Sequence, residues 1–261
     1  MREWRGKWAL VTGASAGIGW ALAVELAAGG ANLVLTARRR ERLEQLASQL
    51  RSNHEVRVVL LTADLAQPSA PQEIFAFTQG KGIAVDLLVN NAGFGAYGEF
   101  PRIPLAHQFE MLQVNITAVL HLTHLYLPAM IERRRGNILI VSSTAAFQAV
   151  PFISTYAATK AFDLVFAEAL AEEMRPYGIR VCALCPGSTS TEFHQVAGQP
   201  DRTKGRQESA AKVARVGLRA LARGKSCVIS GVGNYLGAQV QRLVPRRLVT
   251  RIAARMFRPA S

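Results

Sequence analysis

The pair of side chains most suggestive of chemistry in this sequence is a tyrosine followed four residues later by a lysine. Tyr156 and Lys160 begin the stretch 156–174, which contains no glycine or proline and is typical of a helix. Residues four apart on a helix lie on the same face. A phenol has a pKa of about 10, and a neighbouring ammonium would lower it, whereas burial would raise it. The pair could form an acid–base group, but a solvated helix pair has the same spacing.

A glycine-rich turn near the N-terminus supplies a context for this pair. An apolar strand over 8–12 runs into Gly13, Gly17 and Gly19, and a helical stretch follows over 20–28. Glycines let a backbone approach a phosphate closely, and a helix N-terminus presents free N–H groups to it. The spacing G-x-x-x-G-x-G differs from the general dinucleotide fingerprint. We expect a pyrophosphate site here; a glycine-rich connection without a ligand is the alternative.

The second predicted strand, 32–37, ends in three arginines and carries no acid at that point. In a dinucleotide-binding fold this strand end faces the adenosine ribose, where an acid binds a 2′-hydroxyl and an arginine suits a 2′-phosphate. Arg38 and Arg39 therefore favour NADP(H) over NAD(H) as the cofactor. The alternative is a solvated start to the helix predicted over 40–50. An oxidised nicotinamide would also place a second positive charge near Tyr156.

Strands and helices alternate along the rest of the chain. Further strands are predicted over 56–62, 85–89, 137–142, 179–184 and 226–230, and further helices over 71–79 and 105–130. The strands are nearly continuous apolar runs, which is typical of a parallel sheet covered by helices on both faces. The sequence therefore predicts an α/β fold, a Rossmann-type doubly wound parallel sheet of about seven strands, in a single domain over residues 1–261.

Composition agrees with one folded domain. The chain has 261 residues, of which 49% are apolar, which excludes a disordered protein. Neither a signal peptide nor an uncharged apolar run of about 18 residues is evident, so we expect a cytoplasmic protein without a spanning helix.

The net charge of +13 is concentrated at the C-terminal end, where residues 201–261 hold 14 Lys and Arg and two acids. If 246–258 is helical, Arg247, Arg251, Arg255 and Arg258 share one face beside apolar residues. Such a basic extension, 240–261, suits peripheral contact with an anionic membrane. It could equally pack on the domain with its arginines in water. Interleaved stacking aromatics are missing, so we expect no nucleic-acid partner.

Two further patterns suggest metal or redox chemistry, and we interpret both as structural. Cys182 and Cys185 spell C-x-x-C, but residues three apart on a strand point to opposite faces, so small buried side chains are expected. His121 and His124 are three apart on a predicted helix without a third ligand. A packed or interface position is expected for them, and no metal site.

Together, these residues resemble the short-chain dehydrogenase/reductase family. The matching motifs are T-G-x-x-x-G-x-G at 12–19, Asp64, N-N-A-G at 90–93, Asn115, Ser143, Y-x-x-x-K at 156–160 and P-G at 186–187. They cover residues 8 to about 192. The chain is most similar to the branch that acts on ketones or secondary alcohols and includes hydroxysteroid-dehydrogenase-like members. The resemblance implies an NADP(H)-dependent oxidoreductase for an apolar ketone or alcohol, with Tyr156 as the acid–base group.

The resemblance also implies the other catalytic roles. Lys160 lowers the pKa of Tyr156 and holds the nicotinamide ribose, while Ser143 hydrogen-bonds the substrate oxygen. Ser143 is preferred to its neighbour because it lies 13 residues before Tyr156. Asn115 holds a water that links Lys160 to solvent.

The cofactor-binding residues follow from the same resemblance. Arg38 meets the 2′-phosphate. Asp64 and residues 91–93 flank the adenosine, although Asp64 could instead cap a turn. The remaining implied residues line the pyrophosphate, the riboses and the nicotinamide: Gly13, Ser15, Gly17, Ile18, Gly19, Leu65, Asn91, Ala92, Gly93, Tyr156, Lys160, Pro186, Gly187 and Thr191.

Substrate and partner surfaces are less sharply indicated. Residues 188–210 fall where the family places a substrate lid, with Phe193 and Val196 in it. An apolar pocket is suggested by Phe94, Phe147, Val150 and Phe152. The resemblance further implies a homodimer or homotetramer built through the helices that hold His121 and Tyr156. The competing hypothesis is a nucleotide-binding scaffold or sensor that kept the fold and lost turnover.

Overall fold

A computed structural model describes residues 2–199 and 207–259. Residues 200–206 of the predicted lid and the last two residues of the basic extension lie outside the described residues. The described strands are β1 (Trp8–Thr12), β2 (Asn32–Ala37), β3 (Val58–Thr62), β4 (Val85–Asn90), β5 (Gly136–Val141), β6 (Ile179–Cys185), β7 (Thr189–Ser190), β8 (Glu208–Ser209) and β9 (Cys227–Ile229).

Seven of these strands form one parallel sheet in the order β3-β2-β1-β4-β5-β6-β9, and β7 pairs with β8 separately. The described α-helices are α1 (Gly17–Ala28), α2 (Arg40–Asn53), α3 (Ala70–Gly80), α4 (Leu105–Leu112), α5 (Ala118–Glu132), α6 (Ser154–Met174), α7 (Phe193–Val196), α8 (Ala210–Ala222), α9 (Val232–Val240) and α10 (Arg246–Phe257). The predicted fold class is confirmed, and so is the number of strands in its central sheet.

The helices cover both faces of the sheet because successive strand residues point to opposite sides. Leu10 belongs to the core beneath α3, α5 and α6, whereas Val11 belongs to the core beneath α1, α2 and α8. Cys182 and Cys185 divide in the same way between the two cores, which confirms that they pack on opposite faces of β6.

The long helix predicted over 105–130 is interrupted in the structure. A π-helical segment, Gln113–Thr117, separates α4 from α5. By length and composition the stretch Leu105–Glu132 could cross a membrane. However, Met111, Leu122 and Tyr126 are buried in the core, and the Tyr126 hydroxyl lies 2.8 Å from Thr78 Oγ1. These contacts make it a core helix of the domain.

The region expected to be irregular, 188–206, contains more structure than predicted. It includes β7 and α7, and β8 follows at once and leads into α8. Helices α8 and α9 were not predicted. In α8 the apolar face is buried through Val213, Leu218 and Leu221, and basic residues occupy the exposed side. The many basic residues around this face obscured its pattern in the sequence.

Candidate active site

A cleft of about 530 Å³ opens at the carboxyl ends of the central strands. It lies beside β1 and β4, where the order of the strands reverses: β2 and β3 extend one way from β1, and β5 and β6 the other way from β4. The loops at such a point diverge and leave a crevice, which is where open parallel sheets bind ligands. The topology therefore places the glycine turn after β1 and the residues after β4 in one site.

The glycine turn packs too tightly to hold side chains. A Cβ on Gly13 would lie 2.8 Å from Asn91 Nδ2, and a Cβ on Gly19 would lie 2.4 Å from the carbonyl oxygen of Gly13. The Asn91 amide donates to the carbonyl of Thr12 at 2.8 Å. The Thr12 hydroxyl accepts the backbone N–H groups of Asn91 and Ala92, both at 3.0 Å. This network fixes the turn and leaves bare backbone at the N-terminus of α1, which fits a pyrophosphate.

Two arginines stand at the adenosine end of the cleft, each beside a carboxylate. Arg39 donates to Ser15 Oγ at 3.3 Å and forms a 2.8 Å ion pair with Glu192. Arg38 is 62% exposed and lies 3.7 Å from Glu110. Both arginines line the cleft. The guanidinium groups suit a phosphate, so the residues present fit a dinucleotide with a 2′-phosphate.

The residues after β3 complete that end of the cleft. Asp64 and Leu65 both line it, and Leu65 is buried. Asp64 Oδ1 accepts the N–H of Ala66 at 3.1 Å, so the carboxylate caps a local turn. The sequence left this role open beside contact with the adenine.

The predicted chemistry converges at the other end of the cleft. Tyr156 and Lys160 lie on α6, are both buried, and line the cleft together with Ser143. The Lys160 ammonium is 6.0 Å from the centre of the Tyr156 ring. The Ser143 hydroxyl is close enough to the phenol to lower its pKa. A phenol, a hydroxyl and an ammonium arranged in this way can hold an oxygen atom and exchange a proton with it.

Burial decides the pKa of Tyr156. Burial raises the pKa of the phenol by more than Lys160 and Ser143 lower it, and Asp163 raises it further. Lys160 therefore acts in the expected direction, but among the protein groups alone the net shift is upward. The sequence already indicated both opposing effects, and a second positive charge, such as an oxidised nicotinamide, would lower this pKa further.

The two adjacent serines have different roles. Ser142 Oγ donates to the backbone carbonyl of Lys160 at 2.7 Å and thereby fixes α6 against the end of β5. Ser143 Oγ accepts the N–H of Ala145 at 3.1 Å and keeps its own hydroxyl proton for another partner. This difference supports Ser143 as the residue that faces the chemistry.

Asn115 and Gly19 are predicted site residues that do not line the cleft. Asn115 is fully buried in the π-helical segment, and its side chain bonds both backbone groups of Phe94 and, at 3.0 Å, Thr159 Oγ1. Its side chain thus fixes the loop after β4 against α6. Gly19 packs closely against the backbone of Gly13 in the turn.

The loop after β6 closes the cleft as predicted. The carbonyl of Pro186 accepts the N–H of Thr144 at 2.9 Å. Gly187 has no room for a side chain because a Cβ would lie 2.4 Å from the Asn234 amide. The Thr191 methyl group lies 3.0 Å from the position of a Cβ on Gly17. The remaining predicted cofactor residues also line the cleft: Ser15, Ile18, Ala92 and Gly93.

Only two of the four side chains expected at the apolar end line the cleft, namely Phe94 and Val150. Phe94, Val150, Phe193 and Val196 line it, and the rings of Phe193 and Tyr156 lie 5.1 Å apart. Two of the expected aromatics do not. Phe147 packs against the core, and Phe152 adopts a left-handed backbone with φ of 68° while its carbonyl accepts the N–H of Gly98. Both residues lie between Ser143 and Tyr156 in the sequence, but neither lines the cleft.

Phe257 and Ile153 line the cleft but were not foreseen. Phe257 comes from α10, whose backbone is held by a 2.9 Å bond from the Tyr97 hydroxyl to the Phe257 carbonyl. No sequence pattern near Phe257 predicts that the C-terminal helix packs back against the cleft.

The structure gives no support to a metal centre. Among the described residues, no group of three or more His, Cys, Asp or Glu side chains is placed to hold a metal ion. His124 is exposed and His121 half-buried on α5.

Comparisons with known proteins agree with this geometry. The family model described as short chain dehydrogenase matches residues 7–202. The chain is 34% identical over 191 residues to 7beta-hydroxysteroid dehydrogenase of Collinsella aerofaciens, covering 73% of this chain and 72% of the relative. A solved structure of a short-chain dehydrogenase from Sphingobium yanoikuyae in complex with NADPH aligns with a TM-score of 0.82 at 30% identity, covering 91% and 94% of the two chains. Another, from work on 7beta-hydroxysteroid dehydrogenase stereoselectivity, aligns with a TM-score of 0.88 at 27% identity, covering 97% and 98%.

The tight glycine turn yields a direct test of the cleft. We expect Gly19→Ala to raise the Kd for NADPH by at least about tenfold, because the new methyl group displaces backbone that approaches the cofactor. Fluorescence titration measures the Kd. Gly80→Ala is the matched control, since a Cβ at Gly80 meets nothing within 4 Å. Equal affinities in the two variants would contradict the assignment of the turn.

Proposed function

Because the chain belongs to the short-chain dehydrogenase family, we propose that it is an NADP(H)-dependent oxidoreductase that interconverts an apolar ketone and the corresponding secondary alcohol. Dehydrogenation of a CH–OH group, or reduction of the corresponding carbonyl, is the activity that the names of its relatives indicate. One observation supports this reaction and this cofactor. Ser143, Tyr156 and Lys160 line the same cleft, which has bare glycine backbone at one end and apolar side chains at the other.

The nicotinamide, when bound, supplies the hydride chemistry. In the proposed reduction, the Tyr156 phenol donates its proton to the carbonyl oxygen, and in oxidation the phenolate takes that proton back. Ser143 Oγ donates a hydrogen bond to the same oxygen. Lys160 stabilises the phenolate and holds the nicotinamide ribose. The Asn115 side chain is already hydrogen-bonded to Phe94 and Thr159. We therefore propose that the water at Asn115 is bound by a backbone group of the π-helical segment.

The apolar end of the cleft supports a bulky hydrophobic substrate. Its walls come from Phe94, Val150, Ile153, Phe193 and Phe257. Burial of apolar surface contributes about 25 cal/mol per Å², so rings or long chains would bind there better than small ketones. We propose alicyclic ketones of steroid size, the class that the name of the Collinsella aerofaciens relative indicates.

The preference for NADP(H) rests on the exposed arginine. The 2.8 Å pair of Arg39 with Glu192 must loosen before Arg39 can bind another anion, whereas Arg38 has only a 3.7 Å contact with Glu110. Arg38 is therefore the better partner for a 2′-phosphate. The NADPH complex of the Sphingobium yanoikuyae protein supports the same cofactor.

The rival proposal, a nucleotide-binding scaffold or sensor, would not need the acid–base residues. Here Ser143, Tyr156 and Lys160 all face one cleft. We therefore favour the enzyme, as a homodimer or homotetramer in the cytoplasm. The exposed apolar residues Phe109, Leu120 and Val165 of α4, α5 and α6 would form the contact between copies.

The C-terminal helices favour a second role, peripheral contact with an anionic membrane. The described chain exposes a row of apolar side chains there, which we call the apolar row: Val232, Tyr235, Leu236, Val240, Leu243, Leu248, Ile252 and Met256. Residues 231–261 contain six arginines and no acid. The predicted helix is present as α10, which packs on the domain through Ala253 and Phe257 and leaves the apolar row exposed.

Charge complementarity supports a lipid surface more than a second copy of this chain as the proposed occupant. Self-association through the apolar row would bring two sets of arginines together, whereas an anionic bilayer attracts each set. Phe257 of the same helix lines the cleft, so docking would bring the apolar end of the cleft close to lipid.

Turnover tests the proposed enzyme. We expect NADPH-dependent reduction of a 7-oxo steroid, and we expect Tyr156→Phe to lower kcat by about 10²- to 10⁴-fold, the usual contribution of a general acid. Tyr177→Phe, at an exposed tyrosine, should leave kcat unchanged. Absence of turnover on a panel of cyclic and linear ketones, with NADPH still bound, would favour the sensor instead.

The cofactor assignment has its own test. We expect Arg38→Ala to raise the KM for NADPH by about 10- to 150-fold, because a charge-assisted bond contributes about 1.5–3 kcal/mol, and to leave the KM for NADH nearly unchanged. Arg40→Ala is the control, since Arg40 is 78% exposed and pairs with Glu44. If Arg39→Ala raised the KM for NADPH and Arg38→Ala did not, the 2′-phosphate would be assigned to Arg39 instead.

Vesicle sedimentation tests the membrane contact. We expect cosedimentation with vesicles that contain phosphatidylglycerol and none with pure phosphatidylcholine, and a weaker affinity for Leu248→Ser/Ile252→Ser by about tenfold or more. The control, Phe100→Ser/Tyr177→Ser, removes two exposed apolar side chains that belong neither to the apolar row nor to the proposed contact between copies. Equal partitioning of all three proteins would rule out the apolar row as the docking surface.

A further inference from the structure

A buried carboxylate lies next to the proposed catalytic lysine. Tyr156, Lys160 and Asp163 occupy positions i, i+4 and i+7 of α6 and so share one face of the helix. Asp163 Oδ2 lies 2.9 Å from Lys160 Nζ, and the two side chains are 0% and 6% exposed. Buried carboxylates are costly unless paired. Oδ2 has the ammonium as its partner, whereas Oδ1 has no hydrogen-bond partner among the described residues.

The carboxylate restricts what the ammonium can do. Lys160 Nζ donates to Asp163 and also, at 2.9 Å, to the backbone carbonyl of Val141 at the end of β5. An ammonium has three N–H donors, so these two contacts leave one for the site. Gly93 has no side chain on that side, and a Cβ there would lie 3.4 Å from Nζ, so the glycine keeps the space beside the ammonium open.

The carboxylate also opposes the effect of the ammonium on the phenol. Phenolate formation is favoured by the positive charge of Lys160 and disfavoured by the negative charge of Asp163. Burial lowers the pKa of Lys160, but Asp163 and Tyr156 raise it by more, so the ammonium stays protonated. Burial also raises the pKa of Asp163 by more than Lys160 lowers it. The 2.9 Å contact with a protonated ammonium is the interaction that keeps this carboxylate charged.

Other elements packed against α6 contribute neutral groups to this cluster. Hydrogen bonding to Cys227 and burial both raise the pKa of the Cys185 thiol on β6, which therefore stays protonated. Ser143 follows β5, and the π-helical segment contributes the amide of Asn115.

We propose that Asp163 is a positioning residue that holds the Lys160 ammonium against β5 and whose negative charge keeps the Tyr156 phenol in its protonated form, the form that donates a proton to a ketone. The proposal rests on the oxidoreductase function above and adds that the site is adapted to reduction at neutral pH. A lysine without this partner would instead favour the phenolate that alcohol oxidation requires.

The test is the pH dependence of the oxidation of the 7-hydroxy steroid by NADP⁺ in Asp163→Asn, which removes the charge and keeps the size. Oxidation needs the phenolate, so kcat/KM rises with pH through the pKa of Tyr156. Because loss of a nearby negative charge makes the phenolate easier to form, we expect the inflection to move down by about 1 pH unit or more. Asp163→Glu keeps the charge and should keep the inflection near that of the unmodified protein.

Asp86→Asn is the matched control. Asp86 is also buried and ion-paired, with Arg135 at 3.2 Å, but it lies near the start of β4, away from the cleft. A merely structural Asp163 would behave like Asp86, with a loss of stability and an unmoved inflection, and that result would overturn the proposal.

A direct titration covers the case in which Asp163→Asn does not fold. The near-ultraviolet absorbance difference between the protein and Tyr156→Phe, followed against pH, gives the pKa of Tyr156 directly. Because burial alone raises this pKa, the same titration is made with Asp163→Ala: a lower pKa in that variant supports the proposal, and a pKa equal to that of the unmodified protein contradicts it. This titration requires no turnover, so its result is separate from a failure of the proposed function.

Discussion

The site depends on burying an ionisable cluster inside an apolar core. Tyr156, Lys160 and Asp163 lie on the face of α6 that packs against the sheet, where charges interact strongly because water is excluded. The same burial makes an unpaired charge costly, so each member constrains the others. The pKa of the phenol is therefore set by its burial and by the charges that share the cavity more than by the intrinsic acidity of a phenol.

The scaffold holds this cluster in place through bonds that join distant parts of the chain. Ser142 connects the end of β5 to the backbone of α6 at Lys160, and Asn115 connects the π-helical segment to the loop after β4 and to Thr159. A π-helical segment widens one turn of a helix and is frequent at functional sites. Here it places the Asn115 side chain within hydrogen-bonding distance of Phe94 and Thr159. The loop after β4 and the start of α6 are thereby joined into one wall of the cleft.

Local patterns predicted the sheet and the phosphate end of the site well. The bounds of β1 and β2 agree with the sequence, because strand period is encoded over a few residues. Gly13 lies in the predicted turn, whereas Gly17 and Gly19 belong to the first turn of α1, which begins three residues earlier than predicted. The tertiary parts were not predictable in this way. Phe257 reaches the cleft from a helix far along the chain, the π-helical segment has no compositional mark, and Asp163 resembles any polar residue of a helix.

Charge around the cleft is balanced, in contrast to the basic surface of the C-terminal helices. Lys160 faces Asp163, Arg39 faces Glu192, and Arg38 faces Glu110. The 2′-phosphate that we propose for this end of the cleft would have to compete with a carboxylate for either arginine, so its affinity would depend on the difference between two ion pairs and not on the arginine alone. Glu192 also precedes α7, whose first residue, Phe193, lies against Tyr156. The arginine at the adenosine end is thus linked through a short stretch of chain to the aromatic ring that covers the phenol.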